Sequence, residues 1–325
     1  MPLAATAIHG ITPRTADRHP RNHAAHGRPP STESRRARPT AIRESRRADG
    51  PRAADGRHCI SGTLCHKRRV GTLAGKHALI LGVANERSIA WAISRALSAE
   101  GARCGLTYVG ESLERRVRPL AESIGADVLG SCDVTRDAEI DDLLASVRSQ
   151  WGRLDVLVHA IAFAQREDLM GRFVDTKRDG FRVALDISAY SLVALTRAAL
   201  PLLAQTEGSV LTLTYAGSER VFPNYNVMGV AKAALESAVR YLAADVGPEG
   251  VRVNAISAGP IKTLSAAGIR GFREMLKVAE ARAPLRRNVS ADDVGRLAAA
   301  VVGPAGRGIT GQVLYADAGL SILGA

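Results

Sequence analysis

Residues 77–90 read H-A-L-I-L-G-V-A-N-E-R-S-I-A, an apolar run closed by one glycine, then a polar turn, then the start of an amphipathic stretch. A short apolar run that ends at glycine reads as a strand buried on both faces. Ser88, standing just before the next periodic segment, marks a helix start. The pattern repeats along the chain. Strands are predicted at His77 to Gly82, Ala102 to Tyr108, Asp127 to Ser131, Leu154 to Ala160, Ser209 to Thr214, Val251 to Ser257 and Gln312 to Tyr315. Helical patterns lie between them, at Ser88 to Glu100, Leu113 to Ile124, Ala138 to Trp151, Phe181 to Leu203, Ala231 to Val246 and Ala291 to Val302. Alternation of this kind predicts an α/β fold, a single Rossmann-like, doubly wound, seven-stranded parallel sheet. Ligands in such sheets bind beyond the carboxyl ends of the strands, so those loops are where chemistry is sought.

Charge divides the chain in two. Residues 1–70 hold fifteen Lys and Arg against five Asp and Glu, supplying +10 of the formal +12, so residues 71–325 are nearly neutral. The first segment also holds six of the eight histidines and seven of the fourteen prolines. It cannot bury enough apolar surface to offset its conformational entropy and is expected to be disordered. Three origins stay open for it: sequence upstream of a start near Val70, a basic arm for nucleic acid or an acidic partner, or a targeting peptide carrying unusual acids. The remaining 255 residues are expected to be one folded domain, and their near-neutrality gives no reason to expect nucleic-acid binding.

Cys59, Cys65, Cys104 and Cys132 form no C-x-x-C pair and no metal-ligand spacing with His, which predicts free thiols in a reducing, cytoplasmic setting and no metal. With no uninterrupted run of about eighteen apolar residues, no membrane span is expected.

The turn after the first strand keeps only Gly82 of a G-x-G-x-x-G pattern, but it is placed to aim backbone N–H groups and a helix's positive end at a pyrophosphate. Ser88 is expected to cap that helix or to meet the phosphate. Asp133-Val134 closes the third strand, where the carboxylate either accepts a hydrogen bond from adenine or serves as a plain turn residue. After the fourth strand, Ile161 to Ala164 are small or apolar and allow close approach of a ribose and nicotinamide. Thr107 to Glu111 lack an adjacent base to meet a 2'-phosphate, which favours NADH over NADPH, with Arg115 and Arg116 nearby.

Downstream of the fifth strand the chain reads Y-N-V-M-G-V-A-K over residues 225–232, ten positions after Tyr215. Seven helical residues rise about 10.5 Å, nearly two turns, which puts Tyr225 and Lys232 on one face. An ammonium near a phenol lowers the phenol's pKa and suits it to meeting a developing oxyanion.

Together with G-P-E-G-V-R-V-N-A-I-S-A-G-P-I-K-T-L over 247–264, the stretch L-T-L-T-Y-A-G-S-E-R-V-F-P-N-Y-N-V-M-G-V-A-K over 211–232 closely resembles bacterial enoyl-acyl carrier protein reductases of fatty-acid synthesis, a divergent branch of the short-chain dehydrogenases. The similarity runs from about Gly71 to Leu323. It implies hydride transfer from NADH to C3 of a trans-2-enoyl thioester, with Tyr225 at the thioester carbonyl, Lys232 at the nicotinamide ribose, and Tyr215 as a second active-site tyrosine. By position, Gly82, Ser88, Ile89, Val109, Asp133, Val134, Ile161, Lys232, Ile261, Lys262, Thr263, Leu264 and Ser265 match cofactor contacts, and Ala164 matches a substrate contact. Val109 replaces the polar residue common there. Ala160 and Ala162 stand where many relatives have Ser and Gly. Arg270 and Arg273 match basic positions facing the acidic acyl carrier protein, and the resemblance further implies a homotetramer.

Overall fold

The computed structural model describes residues 71–263 and 271–324. The segment 1–70, Leu264, Ser265 and Arg270 lie outside the described residues. Seven strands form one all-parallel sheet: β1 (His77–Leu81), β2 (Arg103–Tyr108), β3 (Asp127–Ser131), β4 (Val156–His159), β5 (Ser209–Thr214), β6 (Arg252–Ala258) and β7 (Val313–Ala316). Their order is β3-β2-β1-β4-β5-β6-β7, so the winding reverses between β1 and β4, where Leu81 sits beside His159.

Helices cover both faces. Among the described residues they are α1 (Ile89–Ala99), α2 (Gly110–Ser123), α3 (Asp137–Trp151), α4 (Arg166–Leu169), α5 (Arg178–Leu185), α6 (Ser191–Leu203), α7 (Asn226–Val246), α8 (Phe272–Arg282) and α9 (Ala291–Val302). Successive strand residues point to opposite faces, so one run of apolar residues feeds two cores. Leu79 and Leu81 of β1 pack with Ile140 and Val147 of α3, Leu195 of α6 and Val239 of α7. Ala78 and Ile80 pack with Ile93 and Leu97 of α1, Val117 of α2 and Val294 and Ala298 of α9. This two-sided burial explains why the strands read as continuous apolar runs.

Element ends differ from expectation where capping and bulges override periodicity. α7 begins at Asn226, five residues before the periodic stretch, because Tyr225 has already turned to helical angles (φ −117°, ψ −28°). The helix expected over 181–203 starts at Arg178 and is interrupted by a π-helical segment, Asp186–Tyr190. An extra residue per turn there swings Ser188 toward the end of β4, where its hydroxyl donates to the Phe163 carbonyl at 3.1 Å and accepts from the Phe163 amide at 3.0 Å.

That same continuous stretch, Arg178–Thr206, has a mean hydropathy of 1.5 over eighteen residues, long and apolar enough to cross a membrane by composition. The expectation of no such run rested on uninterrupted apolar residues, a stricter condition. Its buried positions, Leu192, Leu195, Ala199, Leu202 and Leu203 among them, line the core against α3 and the sheet, so its apolarity is accounted for inside the molecule.

Candidate active site

The reversal between β1 and β4 forms one wall of the crevice. Gly82 leaves β1 with φ +103°, and a Cβ there would lie 2.1 Å from the Ala160 carbonyl oxygen. Both the backbone angle and the contact demand glycine. Gly82→Ala is therefore expected to destabilise the fold by about 3 kcal/mol or more, read as a shift in the urea midpoint at unchanged slope. A substitution without effect would mean that β1 and β4 are free to part here.

Ser88 holds the following turn, and of its two expected uses the side-chain cap is not made. It occupies the N-cap position of α1 without a side-chain capping bond, and its Oγ accepts instead from the Ala84 and Asn85 amides, both at 3.1 Å. Serine therefore folds the loop back on itself, and while the Trp91 amide bonds the Ser88 carbonyl at 3.1 Å, the Ile89 and Ala90 amides stay at the helix's positive end beyond β1. Asp133 is a turn aspartate: its Oδ1 accepts from the Thr135 amide and hydroxyl at 3.0 and 2.8 Å. The other carboxylate oxygen is available to a ligand only as far as that turn allows. Val134 is buried, Ile161 packs partly against the core, and Val109 is half exposed at the N-terminus of α2. Ile261, Lys262 and Thr263 follow β6, and Ala164 lies partly exposed after β4. A glycine cradle and an open helix N-terminus at the switch point fit a dinucleotide pyrophosphate.

Across the crevice stand the tyrosines. Tyr215 directly follows β5, and Tyr225 sits at the N-cap of α7, just outside the helix, a correction to the expected shared helical face. Their rings meet edge to face with centroids 5.2 Å apart. Asn224 and Asn226 flank Tyr225 with φ of +62° and +29°. Asparagine tolerates such angles better than most residues, and these two swing the intervening phenol into the crevice. The Asn226 amide donates to the carbonyls of Met170 and Gly171, both at 3.3 Å. From the far side, Met275 of α8 covers Tyr215, whose hydroxyl donates to Sδ at 3.6 Å. Arg273 lies on the same helix, exposed.

Lys232 is buried, and its Nζ donates to the Leu213 carbonyl at 2.8 Å. Burial pulls its pKa down to about 8, against the pull of the Glu236 carboxylate. Glu236 is itself buried and accepts from Thr214 Oγ1 at 2.6 Å. It went unnoticed in the sequence, although its place four residues after Lys232 on one helix is a legible signal. Tyr225 shows the opposite of the expected shift. Its ring is partly exposed, but its hydroxyl end is enclosed, and burial, with Tyr215 and Glu236 adding repulsion, drives the phenol's pKa up. Burial likewise pushes Tyr215 up to about 12. Both phenols stay protonated near neutral pH and act as hydrogen-bond donors.

His159 is fully buried between Thr212 Oγ1 and Ser191 Oγ, each 2.8 Å away. Ser191 donates its own proton to the Ile187 carbonyl at 2.6 Å, so it accepts from His159 Nε2–H and leaves Nδ1 to accept from Thr212. Burial and the nearby Lys232 hold its pKa at about 3, so it is a neutral strut and not an acid or base.

A family model described as enoyl-(acyl carrier protein) reductase matches residues 82–321. The chain belongs to the enoyl-acyl carrier protein reductase family. The NADH-dependent enoyl-acyl-carrier-protein reductase 1 of Rhizobium meliloti is 51% identical over 254 residues, covering 78% of this chain and 93% of that protein. The corresponding reductase of Bacillus subtilis is 51% identical over 253 residues, covering 77% and 98%. Among solved structures, the Aquifex aeolicus reductase aligns with a TM-score of 0.76 at 48% identity, covering 78% of this chain and all of that one. The Bacillus cereus enzyme, solved with NADP+ and an indole naphthyridinone, aligns at 0.77 with 50% identity, again covering 78% and all. The family model's match, residues 82–321, runs from the glycine at the end of β1 through β7.

Proposed function

We propose that the chain is an NADH-dependent enoyl-acyl carrier protein reductase of type II fatty-acid elongation, and that Tyr225 carries the chemistry on the substrate side. The observation behind this is the enclosed, protonated Tyr225 stacked edge to face on Tyr215 after β5, with the buried Lys232 bonded to Leu213 of that strand, two strands from the glycine cradle of β1. Gly82, the α1 N-terminus, Asp133 and Lys232 would hold the cofactor, which when bound supplies a hydride to C3 of the trans-2-enoyl thioester.

Tyr225 donates a hydrogen bond to the thioester carbonyl and stabilises the enolate as negative charge moves onto that oxygen. Its raised pKa keeps the phenol protonated as a donor, and the enolate then takes a proton at C2 from solvent to complete the reduction. Lys232 keeps the local field positive, and Tyr215 packs against Tyr225 and fixes the ring that does the donating. The test is NADH consumption with crotonyl and longer enoyl thioesters. Absence of turnover with every thioester would overturn the reading, whereas turnover of ketones alone would favour an ordinary carbonyl reductase.

Because kcat/KM reports the free enzyme, that for NADH is expected to fall above pH about 8 as Lys232 loses its proton. The sign for stability is opposite. Below about 8 the folded protein holds a buried ammonium at a cost, and between about 8 and lysine's ordinary 10.5 this group's contribution to stability rises with pH. A flat kcat/KM profile from pH 6 to 10 would rule out an essential lysine charge.

The carrier protein is the proposed macromolecular partner, met by Arg273, and Arg270 is a candidate outside the described residues. Glu274 partly offsets this basic face through an ion pair with Lys277 at 3.3 Å. A cytoplasmic homotetramer is the proposed assembly. Exposed Phe181, Tyr190 and Tyr241 on α5, the π segment and α7 support it, since an apolar face of this kind favours burial against a second copy. A light-scattering mass of one chain would refute it.

A further inference from the structure

Ala216–Ser218 is a single 3-10 turn that runs straight on from Tyr215. Gly217 at its centre is not among the residues with positive φ, so its backbone angles do not call for glycine. The space around it does. A Cβ on Gly217 would lie 2.5 Å from both Cδ1 and Cε1 of Tyr225 and 3.2 Å from Cδ1 of Tyr215. Both active-site rings therefore rest on bare backbone. The turn also packs closely on α7 beside that ring: a Cβ on Gly229 would lie 2.7 Å from the Gly217 carbonyl oxygen and 3.8 Å from Cδ1 of Tyr225. Tyr225 cannot easily retreat. Tyr215 stands 5.2 Å away edge to face, backed in turn by Phe222 at 5.0 Å and by Met275.

We propose that Gly217 is a positioning residue for the reductase reaction, and that its bare backbone, drawn close to α7 at Gly229, is the shelf that sets where the Tyr225 hydroxyl stands. This rests on the reading of Tyr225 as the donor to the thioester carbonyl. A methyl at 217 must push the Tyr225 ring aside, since aromatic carbons and carbonyl oxygens on both sides leave nothing soft to yield. Displacement of a catalytic donor by about 1 Å costs on the order of 100-fold in rate. Neither glycine touches the cofactor wall at β1, so the loss is expected in kcat and not in KM for NADH.

The test is a double-mutant cycle on the full chain with crotonyl thioester and NADH. Gly217→Ala is expected to lower kcat about 100-fold with KM for NADH changed less than about twofold. In a Tyr225→Phe background the same change is expected to cost less than about threefold, because the hydroxyl it would misplace is already gone. Retention of more than half the wild-type kcat by Gly217→Ala overturns the proposal. So does an equal fractional loss in both backgrounds, which would mark general damage. If Gly217→Ala does not fold, Gly229→Ala runs through the same cycle with an expected loss of about tenfold, and the same two results count against it. Tyr225→Phe with wild-type kcat would overturn both this proposal and the reading of Tyr225, whereas an active Gly217→Ala beside a disabled Tyr225→Phe overturns the shelf alone.

Discussion

Lys232→Met is expected to lower kcat/KM for NADH about 1000-fold while leaving the unfolding midpoint within about 3 °C of wild type. The two halves have different causes. A buried ammonium facing a ribose makes charge-assisted hydrogen bonds worth about 1.5–3 kcal/mol each, and two such bonds account for the loss. The apoprotein, by contrast, gains little from that ammonium. Its depressed pKa shows that burial costs the charged form more than Glu236 returns, and its one hydrogen bond in the described structure goes to the Leu213 carbonyl. Methionine of similar length fills the space without the desolvation cost. Stopped-flow binding of NADH and a thermal melt of the same sample separate the terms. A variant that binds NADH normally would remove Lys232 from the cofactor site, and one that melts far below wild type would make the lysine structural.

Tyr225→Phe is expected to lower kcat by about 100- to 1000-fold with KM for NADH nearly unchanged, the pattern of a donor used chiefly in the transition state. Because burial holds the phenol protonated, this deficit is expected to be the same at pH 6 and pH 8. A deficit that vanished at the higher pH would instead mean that the phenol loses its proton in this range, against the raised pKa that its burial gives. Tyr215→Phe keeps the edge-to-face stack and is expected to cost less, since only the contact of its hydroxyl with Met275 is lost.

The architecture was legible because the inner strands are buried on two sides, and two-sided burial writes itself as uninterrupted apolar residues. Leu79 and Ile80 face different cores, yet in sequence they are simply adjacent aliphatics. Long motifs singled out Tyr215, Tyr225 and Lys232, and the fold brings the two tyrosine rings together edge to face; their part in the reaction is proposed. What failed to show was anything set by enclosure. An expected downward shift at Tyr225 came from counting a nearby cation, but the sum depends on how much water the folded chain removes from the hydroxyl, and spacing does not report that. Ser88 was expected to cap or to bind phosphate, because a serine before a helix has both uses; only the fold shows its oxygen turned back to Ala84 and Asn85. The π segment is invisible to a 3.6-residue period, since a single inserted residue shifts the phase without breaking the apolar face.

Asn224 and Asn226, bent into left-handed angles on either side of Tyr225, carry a consequence for mutational tolerance. Partly exposed positions at an element's edge ordinarily accept many side chains, but here any branched residue would strain the backbone that aims the phenol. In a saturation screen scored by growth on the enzyme's product, both positions would look intolerant, with glycine the most acceptable replacement. Part of their constraint would be written in torsion angles, so a ranking of sites by side-chain chemistry alone would understate two residues on which the active tyrosine depends.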